Sequence, residues 1–576
     1  MWWASHPARE SNAMTSADPI APSASDGAPR RGRARWWIVA SVAALLIAAG
    51  AFVISAQGSS GSNGPATAGP PPRFVDDAAA SGIDHSYTGD FDYFVGGGVA
   101  AFDCNDDGRT DLYFAGGSSP AALYRNTSTV GGALEFEPVA SSTTDLTSVT
   151  GAYPIDIDGD GRLDLVVLRH GANVVLRGLG DCGFEPANDR FGLDGGDDWT
   201  TAFSATWEGD NALPTLAFGT YLEADRTTCG DSSLVRPAGD TYGRPVALQP
   251  GYCTLSMLFS DWSRTGQRDL RLANDRHYYT DGSEQLFRMT SGQDPQPYTE
   301  ADGWVPLQVW GMGLGSQDLN GDGLPEVFIT SQGDNKLQTL DAGPATPAYR
   351  DIALRSGVTA QRPYIGGDVL PSTAWHPEFE DVNNDGIVDL FVSKGNVEGQ
   401  TDQAMRDPSN LLIGQADGTF VEGAQTAGIV SYEKARGAAL VDLNLDGLLD
   451  LVVVNREAPV SLWRNVGSGD GDVSSPMGHW LAVGLEQPAP DVDAVGAWIE
   501  VRTDAGTTQR EVTVGGGHAS GKAGWIHLGL GTSDSADVRV TWPDGEVGPW
   551  VGVDGDQFVT IARGESTARP WEPTAG

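Results

Sequence analysis

Hydrophobic and polar positions repeat along this chain in one unit: a run of small or apolar residues, a nine-residue acidic turn built around a glycine, then an apolar strand-like run. "FVGGGVAAF" leads into "DCNDDGRTDLYF" at Asp103, and the same order returns as "DIDGDGRLDLVV" from Asp156, "DLNGDGLPEVFI" from Asp318, "DVNNDGIVDLFV" from Asp381 and, after "RGAALV", "DLNLDGLLDLVV" from Asp442. A weaker copy, "DWSRTGQRDLRL", starts at Asp261, and "WEGDNALPTLAF" from Trp207 keeps only a loop running into a strand. Short apolar runs bounded by Gly, Asn and Asp predict strands joined by tight turns rather than helices. The seven loop starts lie 51 to 63 residues apart, the length of one four-stranded blade with its loops, so the pattern predicts a seven-bladed β-propeller. "LYRN" at 123–126 and "LWRN" at 462–465 read as the next strand out in their blades.

A second pattern bears on how the ring closes. An aromatic residue with Ala four on, Gly eight on and a β-branched residue nine on occurs at Tyr349, Ala353, Gly357, Val358 and at Phe420, Ala424, Gly428, Ile429. It also occurs at Phe74, Ala78, Gly82, Ile83, before the first blade, and no copy follows Asn465. The N-terminal copy is therefore expected to complete blade seven, which removes an exposed sheet edge. Beyond the ring, residues 478–563 alternate apolar and polar over short strands, as in a small β-sandwich-like domain.

The first 73 residues follow another pattern. "WWIVASVAALLIAAGAFVISA" (36–56) is 21 residues without a charge, enough at ~1.5 Å per residue to cross a ~30 Å hydrocarbon core. Arg30, Arg31, Arg33 and Arg35 precede it, which places the N-terminus in the cytoplasm and the remainder outside. The expected organisation is an all-β protein with one N-terminal transmembrane helix: a disordered cytoplasmic tail (1–35), the helix (36–56), a Gly/Ser/Pro linker (57–73), the propeller (74–466), a linker (467–477), the small domain (478–563) and a disordered tail (564–576). A cleaved signal peptide, with secretion, is the alternative, and Met14 is another plausible start.

With 77 acidic against 36 basic residues and a formal net charge of −41 at pH 7, the chain repels a phosphate backbone, and nucleic acid is excluded as a partner. The four cysteines, Cys104, Cys182, Cys229 and Cys253, all fall on the outer side, where disulfides form. Three pairings are possible. Cys229 with Cys253, closing a Gly/Pro-rich excursion for about 3 kcal/mol of unfolded-chain entropy, and Cys104 with Cys182 are preferred; four unpaired thiols remain the alternative.

The acidic turns offer only oxygen. Their proposed ligands are Asp103, Asn105, Asp107 and Asp111; Asp156, Asp158, Asp160 and Asp164; Asp318, Asn320, Asp322 and Glu326; Asp381, Asn383, Asp385 and Asp389; Asp442, Asn444, Asp446 and Asp450. The backbone carbonyls of Arg109, Arg162, Leu324, Ile387 and Leu448 complete the five sets. Carboxylates about 4 Å apart repel by roughly 4 kcal/mol at an effective dielectric of 20, and a hard divalent cation reverses that sign. Flexible all-oxygen loops suit Ca²⁺ better than octahedral Mg²⁺. Five ions are expected, and a sixth if Asp261, Ser263, Thr265 and Asp269 also hold one; metal-free acidic turns are the alternative. An EF-hand fails, because position 12 is Phe114, Val167, Ile329, Val392 or Val453 rather than Glu.

These loops resemble the FG-GAP (VCBS-type) repeats of integrin-like propellers, and "GHWLAVGLE", "DAVGAWIEVRT", "REVTVGGGHASGKAGWIHLGLG" and "DVRVTWPDG" between 478 and 545 resemble the ASPIC and UnbV domain. In this order the two modules are similar to the cartilage acidic protein family and its bacterial relatives. The resemblance implies calcium at the DxDxDGxxD loops and a role in binding, adhesion or scaffolding outside the cell, toward a protein or glycan partner not identified by the residues; it supplies no catalytic residue. The alternative is an enzyme acting on polysaccharide in the propeller funnel, for which His277 and His376 are the candidates. His518 and His527, in strand-like stretches of the tail, read as structural.

Overall fold

Each acidic turn joins two antiparallel strands, and the small-residue run ahead of it is the innermost strand of a blade. In blade one Val99–Phe102, Asp111–Phe114, Ala122–Asn126 and Phe136–Val139 form the sheet in that order. The computed structural model describes residues 67–275, 282–470 and 473–573. It contains seven such meanders; the inner strands of the other six are Val149–Ile155, Thr200–Thr206, Thr254–Ser260, Gly311–Gln317, Ala374–Glu380 and Lys434–Val441. Each inner strand packs beside the next, and the last returns to the first, so the ring is closed. The protein is all-β, with only single-turn helices among the described residues.

Closure occurs in blade seven, where Arg73–Asp76 pairs antiparallel with Ser461–Gly467. Phe74 is buried there with Ala424, Ile429 and Trp463. The two other copies of its motif explain the choice: Tyr349 and Phe420 open the outermost strands of blades five and six. A one-turn helix follows each, stopped by Gly357 and Gly428 in left-handed conformations.

The C-terminal domain is two four-stranded sheets, Ile526–Gly531, His479–Glu486, Gln557–Ala562 and Arg569–Trp571 in one, Thr507–Glu511, Trp498–Arg502, Ser535–Thr541 and Val551–Asp554 in the other. Leu481, Ile499, Val538, Trp542 and Val559 form its core. One expectation about the terminal segments needs correction, and two linkers make contacts of their own. Arg569–Trp571, placed in a disordered tail, adds to the first sheet because the Trp571 ring packs 5.2 Å from Trp525 and edge-on 5.4 Å from Phe558. Within the 57–73 linker, Gly69 N–H donates to Asp385 (2.6 Å) and Pro70 C=O accepts from Asn383 (3.1 Å), which ties its end to blade six. The 467–477 linker folds back on itself, with Ser468 N–H donating to Ser475 C=O (2.9 Å). Residues 1–66, including the apolar 36–56 run, and His277 lie outside the described residues; among those described, no helix is long and apolar enough to cross a membrane.

The two domains interpenetrate. Residues 512–523 leave the C-terminal sheets and run along the axis of the ring, forming β-bridges with the inner strands of five blades. Val514 bridges Ala205, Gly515 Leu258, Gly517 Leu314 and Ser520 Ala152, while Gly521–Lys522 pairs in parallel with Ala100 and Ala101. This strap accounts for the small residues ahead of the loops. A methyl group on Gly98 would stand 1.8 Å from Ala519 O, and one on Gly437 2.2 Å from Ser520 Oγ.

Phe74→Ala should lower stability by about 3–5 kcal/mol, as a buried Phe truncation does, with the urea midpoint falling; an unchanged midpoint would show that the N-terminal strand does not close the ring.

Candidate metal loops and the docking face

The loops share one hydrogen-bonding pattern, set by residue type at fixed positions. The position-one carboxylate accepts from the position-six glycine N–H: Gly108 to Asp103 (2.6 Å), Gly161 to Asp156 (2.8 Å), Gly323 to Asp318 (2.9 Å), Gly386 to Asp381 (2.7 Å), Gly447 to Asp442 (2.8 Å). Those glycines all have φ between +80° and +85°, the left-handed region that disfavours a side chain. The position-nine acid is buried and, in blades one and seven, accepts one N–H from its own turn and one from the third strand. Asp111 takes Cys104 N–H (2.8 Å) and Asn126 N–H (2.7 Å), and Asp450 takes Leu443 N–H (2.9 Å) and Asn465 N–H (2.8 Å). The asparagines of "LYRN" and "LWRN" also link blades: Asn126 Nδ2 donates to Leu443 O (2.7 Å) and Asn465 Nδ2 to Val382 O (2.9 Å).

Burial pushes these acids up. Asp111 rises to about 8, Asp164 and Glu326 to about 7 and Asp156 to about 6, with neighbouring carboxylates adding to the effect. Asp381, Asp389 and Asp450 also rise through burial and the repulsion of their neighbours. Two side-chain oxygens at position three, Asp158 Oδ1 and Asn444 Oδ1, are buried without a partner. A set of oxygen acceptors gathered out of water, some unpartnered, is the donor arrangement of a hard cation.

The loops differ in what else competes for their oxygens. In blade two, Arg177 and Arg190 each lie 2.8 Å from Asp158, and Arg177 also pairs with Asp160. At 261–269 the acid is saturated: Asp269 accepts from Trp262 Nε1 (2.8 Å), Gln267 Nε2 (2.8 Å), Met289 N–H (2.9 Å) and Tyr298 OH (2.7 Å). Ser263 and Thr265 bond to each other (2.8 Å), and Arg264 sits 3.8 Å over the Trp498 ring. This donor set does not fit an ion. The turn after Trp207 uses its acid otherwise, Glu208 pairing with Arg236.

Both disulfides are those preferred from the sequence, Cys104–Cys182 and Cys229–Cys253. The first ties the blade-one loop to blade two.

The C-terminal domain sits on the loop face. Trp571 lies on Gly108, Trp525 Nε1 donates to Gly108 O (3.3 Å), Trp480 lies on Gly447, and His527 Nε2 shares a hydrogen bond with Asn384 Oδ1 (2.7 Å). His527 belongs to a strand; His518 does not, and lies at the centre of the strap. Its Nδ1 donates to Met312 O (3.1 Å), its Nε2 accepts from Gly96 N–H (3.2 Å), and burial pushes it down to about 3, so it is neutral. His376 faces it inside the channel, Nδ1 accepting from His518 N–H (3.0 Å) and Nε2 3.4 Å from Glu378. Lys522 pairs with Glu378 and Glu380, and Arg510 pairs with Glu380. Burial alone would raise Glu378, but Lys522 and His376 hold it well below the usual carboxylate range.

Residues 103–167, 318–392 and 381–453 match the FG-GAP-like repeat, and residues 487–568 match ASPIC and UnbV. The chain carries FG-GAP-like repeats and an ASPIC and UnbV domain. Its relatives include cartilage acidic protein 1 of Mus musculus, 25% identical over 252 residues, and of Homo sapiens, 25% identical over 253 residues, each match covering 41% of this chain. The chain spans about a third of these relatives' length, 34% and 33%. Similar solved structures include an Agrocybe aegerita lectin recognising non-reducing terminal N-acetylglucosamine (TM-score 0.37, 15% identity, 65% of this chain and 96% of that one). An ulvan lyase is comparably distant (TM-score 0.37, 12% identity, 66% and 96%). Likenesses this loose carry no argument about function.

The FG-GAP-like matches omit the loops at 207 and 261. The ASPIC and UnbV match contains the strap. Glu378, Glu380, Arg510 and Lys522 were missed as a group because they lie in two domains; the signal available was "GGGHASGKAG" opposite glycine-rich inner strands, a sign of close backbone approach.

Because Glu378 and Glu380 titrate below their ordinary 4.5 in the folded protein, their contribution is full above about pH 4.5 and drains as pH falls through the lower folded values. Glu378→Gln with Glu380→Gln should flatten that acid limb when urea midpoints are compared from pH 7 to pH 3.

Proposed function

We propose that the chain is a membrane-anchored, extracytoplasmic calcium-binding module that holds a protein or glycan partner. The calcium reading is carried by the blade-seven loop, where the unpartnered Asn444 Oδ1 lies among Asp442, Asp446 and Asp450. Equivalent residues in blades one, two, five and six would hold the other ions, with Arg177 competing in blade two. The ion neutralises buried charge and stiffens each turn; the blade-four loop is given none. Two disulfides suit an oxidising compartment, and anchorage rests on the apolar 36–56 run.

The partner reading follows from which surfaces are free. The C-terminal domain covers the loop face and its strap fills the axis, leaving the opposite face, where the inner strands begin. There Phe91, 42% exposed, lies 4.8 Å from Phe94 and under Arg226 (5.3 Å), backed by Trp199 and Tyr221. Aromatic faces beside a cation suit sugar rings or an apolar peptide side chain. A polysaccharide-active enzyme in the funnel is less well supported, since the strap lies where substrate would, and His376 is engaged by His518.

Calorimetric titration of Ca²⁺ into the metal-stripped full chain should find about five sites and a raised Tm, each site adding about 2.7 kcal/mol at a free concentration 100 times its Kd; absence of binding heat and of any Tm shift would sink the assignment. On arrays of polysaccharides and extracellular proteins, Phe91→Ala and Arg226→Ala should reduce the retained signal at least tenfold, and unchanged retention would move the partner site elsewhere.

A further inference from the structure

The residues that read as ion ligands and the residues that seat the C-terminal domain are interleaved in the same turns. In blade six Asp381, Asn383, Asp385 and Asp389 are the ligand positions, while Asn384 accepts from His527 through its side chain and from Gly531 N–H through its carbonyl (3.0 Å). Asn384 Nδ2 also donates to Gly447 O of the blade-seven loop (2.9 Å), so two loops and the domain meet at one side chain. The fit is tight. A methyl on Gly447 would stand 1.9 Å from Trp480 Cε2, one on Gly108 2.0 Å from Trp571 Cζ2, and one on Gly529 1.8 Å from Asp381 Oδ2. Glu380, which clamps both Lys522 and Arg510, is the residue immediately before the ligand Asp381.

We propose that docking of the C-terminal domain is calcium-gated: ions in the loops of blades one, six and seven hold the turns in the shape the domain reads, and their loss frees the strap 512–523 from the axis. The proposal rests on the calcium reading above. Without an ion the clustered carboxylates of each loop repel in a site removed from water, and the turns relieve this by spreading. Seats too close to admit a methyl group are then lost at three points together. The blade-four contact, where Glu511 accepts from Ser260 OH (2.6 Å) and Asp261 N–H (2.8 Å), has no ion to lose and does not follow. Linkage makes the effect reciprocal, so a domain that docks less well also weakens the ions.

The test is hydrogen exchange of the full chain, read by mass spectrometry in saturating Ca²⁺ and in chelator, with ion binding measured on the same preparation. Gly516, Gly517 and Ala523, whose amides donate to Met257, Leu314 and Ala101, should exchange at least tenfold faster in chelator, while Thr254–Ser260 of blade four stays protected. Ions that bind while 512–523 keeps its protection would overturn the gate and leave the calcium reading intact; absence of ion binding would overturn both. Loss of protection in the strap and blade four together would mean global unfolding, and would also overturn the gate. Trp480→Ala, which removes a seat and no ligand oxygen, should lower Ca²⁺ affinity at least threefold, and a titration superimposable on the unaltered protein would refute the linkage.

Discussion

A single buried carboxylate at the ninth position of each acidic turn organises the blade around it. Asp111, Asp389 and Asp450 are fully removed from solvent, which is unfavourable for an acid unless its oxygens are used. Each accepts one N–H from its own turn and one from the third strand: Asp389, for example, from Val382 (3.0 Å) and Gly414 (2.8 Å). The turn, the second strand and the third strand therefore share one anchor. Everything else on this face inherits its position from that anchor, including the other loop oxygens and the glycine on which the C-terminal domain rests.

The second constraint is the width of the axis. A seven-bladed ring leaves space that side chains of its inner strands could fill, but at Gly98, Gly151 and Gly437 the ring brings no side chain. The space is filled by a backbone instead, residues 512–523, with its own glycines turned toward the ring. Polar groups brought into such a place need partners, and Glu378, Glu380, Lys522, Arg510, His376 and His518 find them in one another or in nearby backbone. The strap is thus a core element for both domains, although it belongs in sequence to only one.

Much of this was legible in the residues. The repeat of Asp103 at 156, 318, 381 and 442 gave away the blade, because the chemistry of a turn that accepts backbone N–H at positions one and nine tolerates few substitutions. The displaced motif at Phe74 announced that blade seven borrows its outer strand. Arg569–Trp571 was not legible, since three residues after a polar stretch carry no periodicity, and only the nearness of Trp525 and Phe558 makes them a strand. The saturation of Asp269 was equally hidden: Trp262, Gln267, Met289 and Tyr298 approach it from different strands, and a loop's spacing records nothing about what arrives from outside it.

By itself, then, the chain determined the local rules: which residues turn, which alternate, where oxygens gather and how many times the unit repeats. These depend on neighbours within a few residues, so spacing and residue type suffice. Only the tertiary structure decided that the second domain would thread the first, that His376 would meet His518 and that Lys522 and Arg510 would meet Glu378 and Glu380. Those encounters join positions more than a hundred residues apart, and charge pairing or close backbone approach at such range leaves no periodic mark on a single sequence.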